Sequence, residues 1–207
     1  MNIAVCQRTV HLMATGCLLV LLLISSGCAV QPGKPAEQQP EKKVEADKLI
    51  VVEPAVQQDF ERALQLLKAG DDVDTAIALL RSVVEREQRL AAPYVNLALA
   101  LLQKGDDKQA QQYLLKALAI DSHHPQASNQ LGLLYRKQGK FEQAKNVYRQ
   151  ALAQHPKYLP VIRNLAILCD IYMRDLECAL EQYETLQQHM PDDKTVRIWI
   201  ADLKARM

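Results

Sequence analysis

Aromatic residues and glycine are scarce here: two Phe, one Trp and seven Gly stand among 207 residues. Ala, Leu, Gln and Lys are plentiful instead, and that balance leans towards helix. An excess of charge of one sign is missing too. Lys and Arg number 25 against 24 Asp and Glu, a net charge of +1. With no basic stripe in the chain, a nucleic-acid partner is excluded. The most apolar run, residues 12–24, falls short of the about 20 residues that a membrane span needs. Also absent are a Gly-rich phosphate loop, an HExxH pair and a GxSxG elbow, so no motif supports an enzyme or a small-molecule substrate. What remains is 49% apolar and 24% charged, the composition of a foldable globular chain. Its length suits one domain with appendages.

The N-terminal stretch is not expected to join the fold. Residues 1–11 carry one cation, Arg8, and no acid. Residues 12–24 are dominated by Leu, Val, Ile, Ala and Met, interrupted by Thr15, Gly16 and Cys17. Ser25, Ser26, Gly27 and Cys28 close the run with small residues, the pattern of a secretory signal and its cleavage site. Around Cys28 the chain resembles the lipobox of bacterial lipoproteins, although Ser25 stands where that family prefers Leu. The resemblance implies a signal peptide over residues 1–27 and a lipid on Cys28, with no other cofactor. Ala29 after the cysteine, where Asp would retain the protein at the inner membrane, implies the periplasmic face of the outer membrane. An ordinary secretory signal cleaved nearby is the alternative. Residues 28–53 then read as a lipidated cysteine and a tether with Pro32, Pro35 and Pro40 among Gln, Glu and Lys. A coil of about 20 residues reaches roughly 25 Å.

From there the chain repeats itself. Leu67, Leu101, Tyr135 and Cys169 are spaced by 34 residues. Ala76, Ala110 and Ala144 keep that spacing, and Ala179 follows at 35. Leu80, Leu114, Tyr148 and Tyr183 share the rhythm, and Gly70, Gly105 and Gly139 mark a turn at 35 and 34. Each unit carries two apolar helical patterns around that turn. In the third unit Leu131, Gly132, Tyr135, Ala144, Tyr148, Ala151 and Pro156 resemble the signature of the tetratricopeptide repeat (TPR), with Ser128 where an aromatic is usual. The implied fold is an all-α TPR solenoid over residues 54–206. Its units fall at 57–90, 91–124, 125–158 and 159–193, with a capping helix at 194–206. Ala98, Gly132 and Ala166, facing Ala76, Ala110 and Ala144, let paired helices approach. Leu97, Leu131 and Leu165 fill the layer between units. The turn glycines end first helices in the left-handed conformation, and Asp72, Asp106 and Asp107 cap second helices. Trp199, Ile198 and Leu203 are expected to form the apolar side of the cap.

No constellation suggests catalysis or a metal site. The Asp pairs sit in the turn register, and His123, His124 and His155 fall near the ends of second helices, where a cation complements the dipole. Cys169 and Cys178 form an even pair in an oxidising compartment, placed at facing ends of the fourth hairpin. A bridge between them is expected; two independent thiols are the alternative. The fourth unit is one residue longer at this turn and has Met173 in the place of the glycine.

TPR arrays hold peptides or helices on the face lined by first helices. The resemblance places Val95, Leu99, Gln126, Asn129, Leu133, Arg136, Lys137, Arg163 and Ile167 there. Leu99, Leu133 and Ile167 make an apolar stripe beside a basic flank, which suits a segment with apolar anchors and an acidic group. Completion of packing between repeats is the alternative for those three residues. The TPR subtype that clamps a C-terminal carboxylate does not match, because of its places only Asn96 fits, and Glu61 or Val95 stands elsewhere. The expected function is a non-enzymatic, periplasm-facing adaptor or assembly factor, bound to the membrane through its lipid and to an envelope protein or peptide segment. The last unit and Trp199 to Arg206 resemble small TPR proteins that accompany TonB-type systems; pilus assembly and murein machinery use others. A self-associating structural lipoprotein is the reading of a different class.

Overall fold

The computed structural model describes residues 50–70 and 72–207. The signal sequence, Cys28 and nearly all of the tether lie outside the described residues. Among those described there is no strand. The helices are α1 (Pro54–Ala69), α2 (Val73–Arg86), α3 (Ala91–Gln103), α4 (Asp107–Ile120), α5 (Pro125–Lys137), α6 (Phe141–Gln154), α7 (Leu159–Ile167), α8 (Leu176–His189) and α9 (Lys194–Arg206). A π-helical segment, Leu168–Met173, continues α7. None of these helices is long and apolar enough to cross a membrane.

Local chemistry sets the boundaries. Pro54, Pro125 and Pro160 sit in first turns, where the missing N–H costs no helical hydrogen bond. The carboxylates of Asp72, Asp106 and Asp175 accept the N–H groups of Thr75, Gln109 and Cys178 at 3.0, 3.0 and 3.1 Å. Asp107 does not cap. It lies inside α4 and pairs with Lys137. His124 also departs from its expected place, since it precedes α5 and its Nδ1 accepts the Ala127 N–H at 3.4 Å. At the hairpin turns Gly105 and Gly139 adopt φ of 80° and 74°, a region costly for any residue with a Cβ. The Asp106 N–H then donates to the Leu101 carbonyl at 2.9 Å, and the Lys140 N–H to the Tyr135 carbonyl at 2.8 Å. These bonds close the first helix and aim the chain back along itself.

Four hairpins result, α1–α2, α3–α4, α5–α6 and α7–α8, and each packs on the next through α2–α3, α4–α5 and α6–α7. Ala63, Ala98 and Ala166 are fully enclosed, as are Ala76, Ala110, Ala144 and Ala179 on the partner helices. Leu80, Leu97, Leu114, Leu131, Leu165 and Leu186 fill the spaces between helices, each burial contributing about 1.5–3 kcal/mol. The core forms two clusters, one over the first two hairpins and α5, the other from α6 to α9, with Tyr135 packed against both.

The fourth hairpin carries the irregularity. Its left-handed residue is Arg174 (φ 54°), not Met173. The closing bond runs from the Asp175 N–H to the Cys169 carbonyl at 2.9 Å, a span of six residues where the earlier turns span five. The extra residue of this unit is therefore taken up inside the first helix as a π-turn. Asp175 stays in register to cap α8. Helix α9 closes the array with Val196, Ile200 and Leu203, all buried, at spacings of four and three. Ile198 lies outside that stripe and is 65% exposed, so it is not part of the apolar side of the cap.

Candidate functional site

The nine residues expected on the first-helix face divide into three groups. Leu99, Leu133 and Ile167 are half-buried, one each on α3, α5 and α7. They give the face an apolar strip that solvent still reaches. Leu99 also packs against the N-terminal core cluster, so part of its surface serves the fold. Gln126 is exposed at the start of α5. Val95 is 1% exposed and Asn129 7%, and neither offers a side chain to a partner. Val95 is a core residue. Asn129 accepts from Asn164 Nδ2 at 2.8 Å, a polar tie between α5 and α7.

The basic flank differs from the sequence reading in the same way. Arg136 lies with its guanidinium carbon 5.3 Å from the centre of the Tyr172 ring. Lys137 pairs with Asp107. Arg163 reaches Asp193 at 3.7 Å and donates to Met190 Sδ at 3.8 Å. Each cation is engaged by another element: Lys137, at the end of α5, lies beside the start of α4, Arg136 faces the π-turn, and Arg163 reaches the residue before α9. Lys104 with Asp74, at 3.0 Å, repeats the pattern of Lys137 with Asp107 one unit earlier. Two of the three cations are thus ion-paired and the third lies over a ring, which leaves the apolar strip as the part of the face most open to an occupant.

Residues that sequence reasoning passed over gather at the C-terminal end. The π-turn exposes Ile171 and Tyr172, at 62% and 44%. Tyr172 is also 5.4 Å from Phe141 between ring centres. Beside them a cavity of about 390 Å³ is lined by Ile167, Asp170, Ile171, Tyr183, Trp199 and Arg206, among others. Asp170 is 7% exposed. Its carboxylate accepts from Arg206 at 2.8 Å and from the Tyr183 hydroxyl at 3.3 Å. Burial, reinforced by the adjacent Asp170 charge, raises the Tyr183 phenol above its ordinary range. The hydrogen bond to Asp170 holds the Arg206 guanidinium more firmly protonated. These three groups satisfy one another, which fits a structural clamp rather than acid–base work. The sequence signal for this cluster was the 35-residue spacing and the missing glycine. The 34-residue template that located everything else has no place for an inserted turn.

Cys169 Sγ is bonded to Cys178 Sγ, with Cα atoms 5.9 Å apart. Ligand atoms of Cys169, Asp175 and Cys178 lie within 4.8 Å of one another. A metal would need the thiolates that the disulfide consumes, and Asp175 is bonded to Lys145 at 2.7 Å. The cluster ties a turn together.

Comparison with known proteins agrees with this geometry. Residues 89–157 match the family model described as "Tetratricopeptide repeat". Among solved structures, one titled "Functional Characterization of Pseudomonas Aeruginosa pilF" is 24% identical, with a TM-score of 0.64 over 73% of this chain and 68% of that one. A thermophilic TPR protein of Thermus thermophilus is 26% identical, with a TM-score of 0.57 over 72% of this chain and 81% of that one. A probable UDP-N-acetylglucosamine–peptide N-acetylglucosaminyltransferase of Solanum lycopersicum, SPINDLY, is 24% identical over 103 residues. That stretch is 50% of this chain but 11% of the transferase. The fold is a TPR solenoid, an architecture that generally mediates protein–protein interaction.

Proposed function

We propose that this TPR solenoid is a lipid-anchored adaptor or assembly factor on the periplasmic face of the outer membrane, serving an envelope complex of the TonB-type, pilus or murein machinery. The observation that carries the binding role is the half-open apolar strip of Leu99, Leu133 and Ile167 across three consecutive first helices. A surface of this kind gains from covering by a segment that brings its own apolar side chains. The apolar run before Cys28 supports the anchor, and the Cys169–Cys178 bond supports an oxidising compartment. With its cations already engaged, the face selects apolar anchors more than acidic groups. The occupant is an extended or helical segment of another protein, and the cofactor complement is a covalent lipid on Cys28 alone.

The test is crosslinking and pulldown from intact envelopes, comparing the native chain with a Gln126→Glu/Leu133→Asp double variant. Partners lost from the variant, with its helical content and melting temperature little changed, are the expected result and would name the complex. Identical partners from both proteins would reject the strip as the binding surface. No partner from either, with a mass that grows with concentration, would favour a self-associating structural lipoprotein.

A further inference from the structure

We infer that the fourth hairpin is a redox-sensitive device in which the Cys169–Cys178 bond holds the π-turn and, through it, the capping helix. Three features of the turn need holding. Leu168–Met173 runs as a π-helix, an uncommon state seen mainly as short insertions. Arg174 is left-handed at φ 54°, which side chains with a Cβ disfavour. Asp170 is 7% exposed, and its carboxylate oxygens accept from Arg206 and from the Tyr183 hydroxyl. The bridge fastens the residue before Asp170 to the first turn of α8 and so fixes where that carboxylate sits. Arg206 belongs to α9 and Tyr183 to α8, so the position of Asp170 sets how the last turn of α9 is held. The Tyr183 ring in turn packs, tilted, with its centre 5.4 Å from that of Trp199 on α9.

Reduction needs an external dithiol. One of its thiolates attacks Sγ of Cys178, the less buried of the two residues. The S–S bond breaks, a mixed disulfide forms, and Cys169 leaves as a thiolate that takes up a proton. The second thiol of the reductant resolves the mixed disulfide and frees Cys178 as a thiol. The cysteine pair gains two electrons and two protons, and the dithiol becomes a disulfide. With the tie cut, the π-turn and Arg174 relax, Asp170 loses its fixed approach to Arg206, and α9 loosens while the earlier hairpins stay folded. This response is a property of the chain alone and does not rest on the partner proposed above.

The chain carries its own reporter, because Trp199 is its single tryptophan. The experiment follows Trp199 emission and amide exchange in the full-length protein, oxidised and after dithiothreitol, with thiol titration to show that the pair is open. A Cys169→Ala/Cys178→Ala variant provides the open state without reductant and controls for the remaining cysteines. The expected result is a red shift of Trp199 emission and about tenfold faster exchange over residues 168–175 and 194–206, with residues 54–120 unchanged. In the double variant dithiothreitol changes nothing further. Unchanged emission and exchange in the opened protein would overturn the device. Exchange that rises equally across every helix would overturn it too, since the bridge would then be a general stabiliser.

Discussion

At the scale of single residues, the third hairpin turns on one contact. A Cβ on Gly132 would lie 2.2 Å from Tyr148 Cε1 and 2.4 Å from Cζ, far inside van der Waals distance. Tyr148 is fully buried and has little room to yield. The glycine is there because the ring occupies the space its side chain would need. Gly132→Ala should therefore destabilise the protein by about 1–3 kcal/mol by overpacking, measured by urea unfolding. A Tyr148→Leu change should recover part of that loss in the double variant, giving a non-additive cycle; strict additivity would show that the two residues do not collide. The Tyr148 hydroxyl is buried with no hydrogen-bond partner among the described residues, and burial raises its pKa. Tyr148→Phe deletes an unsatisfied donor at almost constant shape, so stability should hold or rise by up to about 1 kcal/mol. A loss beyond that would mean the hydroxyl has a partner.

At the scale of elements, the helices were legible because caps, turn glycines and apolar spacing all repeat. Gly105 and Gly139 announce their turns, and Asp72 and Asp106 announce the helices that follow. The π-turn was only half legible. The 35-residue step from Ala144 to Ala179 shows that one residue is extra, but spacing alone cannot say whether loop or helix absorbs it. Placing it in the loop assigned Met173 the role that Arg174 plays. Asp175 shows what the insertion preserves, since it caps α8 and also binds Lys145 at 2.7 Å. The Lys145 bond, helped by the Cys178 N–H, lowers its pKa below the ordinary carboxylate value. A carboxylate depressed on folding stabilises fully above its unfolded value, near 3.9. That contribution is lost as pH falls through the lower folded value. Asn at this position can still cap but cannot form the ion pair. The native protein should therefore melt above Asp175→Asn at pH 6 to 7, with the gap closing below about pH 4. A gap that persists to pH 2 would assign the stabilisation to capping or packing instead.

At the scale of the whole solenoid, the repeat made the architecture readable while hiding the state of its binding face. A periodic template says which positions point the same way, and so it found Leu99, Leu133 and Ile167. It carries no information on what a neighbouring unit does to those positions. Val95 became core, Asn129 was bonded by Asn164, and Arg163 was drawn to Asp193. Those outcomes depend on contacts between units, which one unit's sequence does not encode. The same dependence on neighbours governs stability, because each hairpin buries its faces only against those beside it. The core divides accordingly, with Leu80 in the N-terminal cluster and Leu203 in the C-terminal one, both fully buried. Leu80→Ala and Leu203→Ala delete the same atoms at opposite ends, each at a cost of about 2–5 kcal/mol. A nearest-neighbour array should answer each cavity locally. Amide exchange should quicken over residues 54–120 in the first variant and over residues 159–206 in the second, with the far end protected as in the native chain. If both variants speed exchange uniformly, the two clusters unfold as one, and Tyr135 and the Gly132–Tyr148 contact couple them more tightly than a nearest-neighbour array allows.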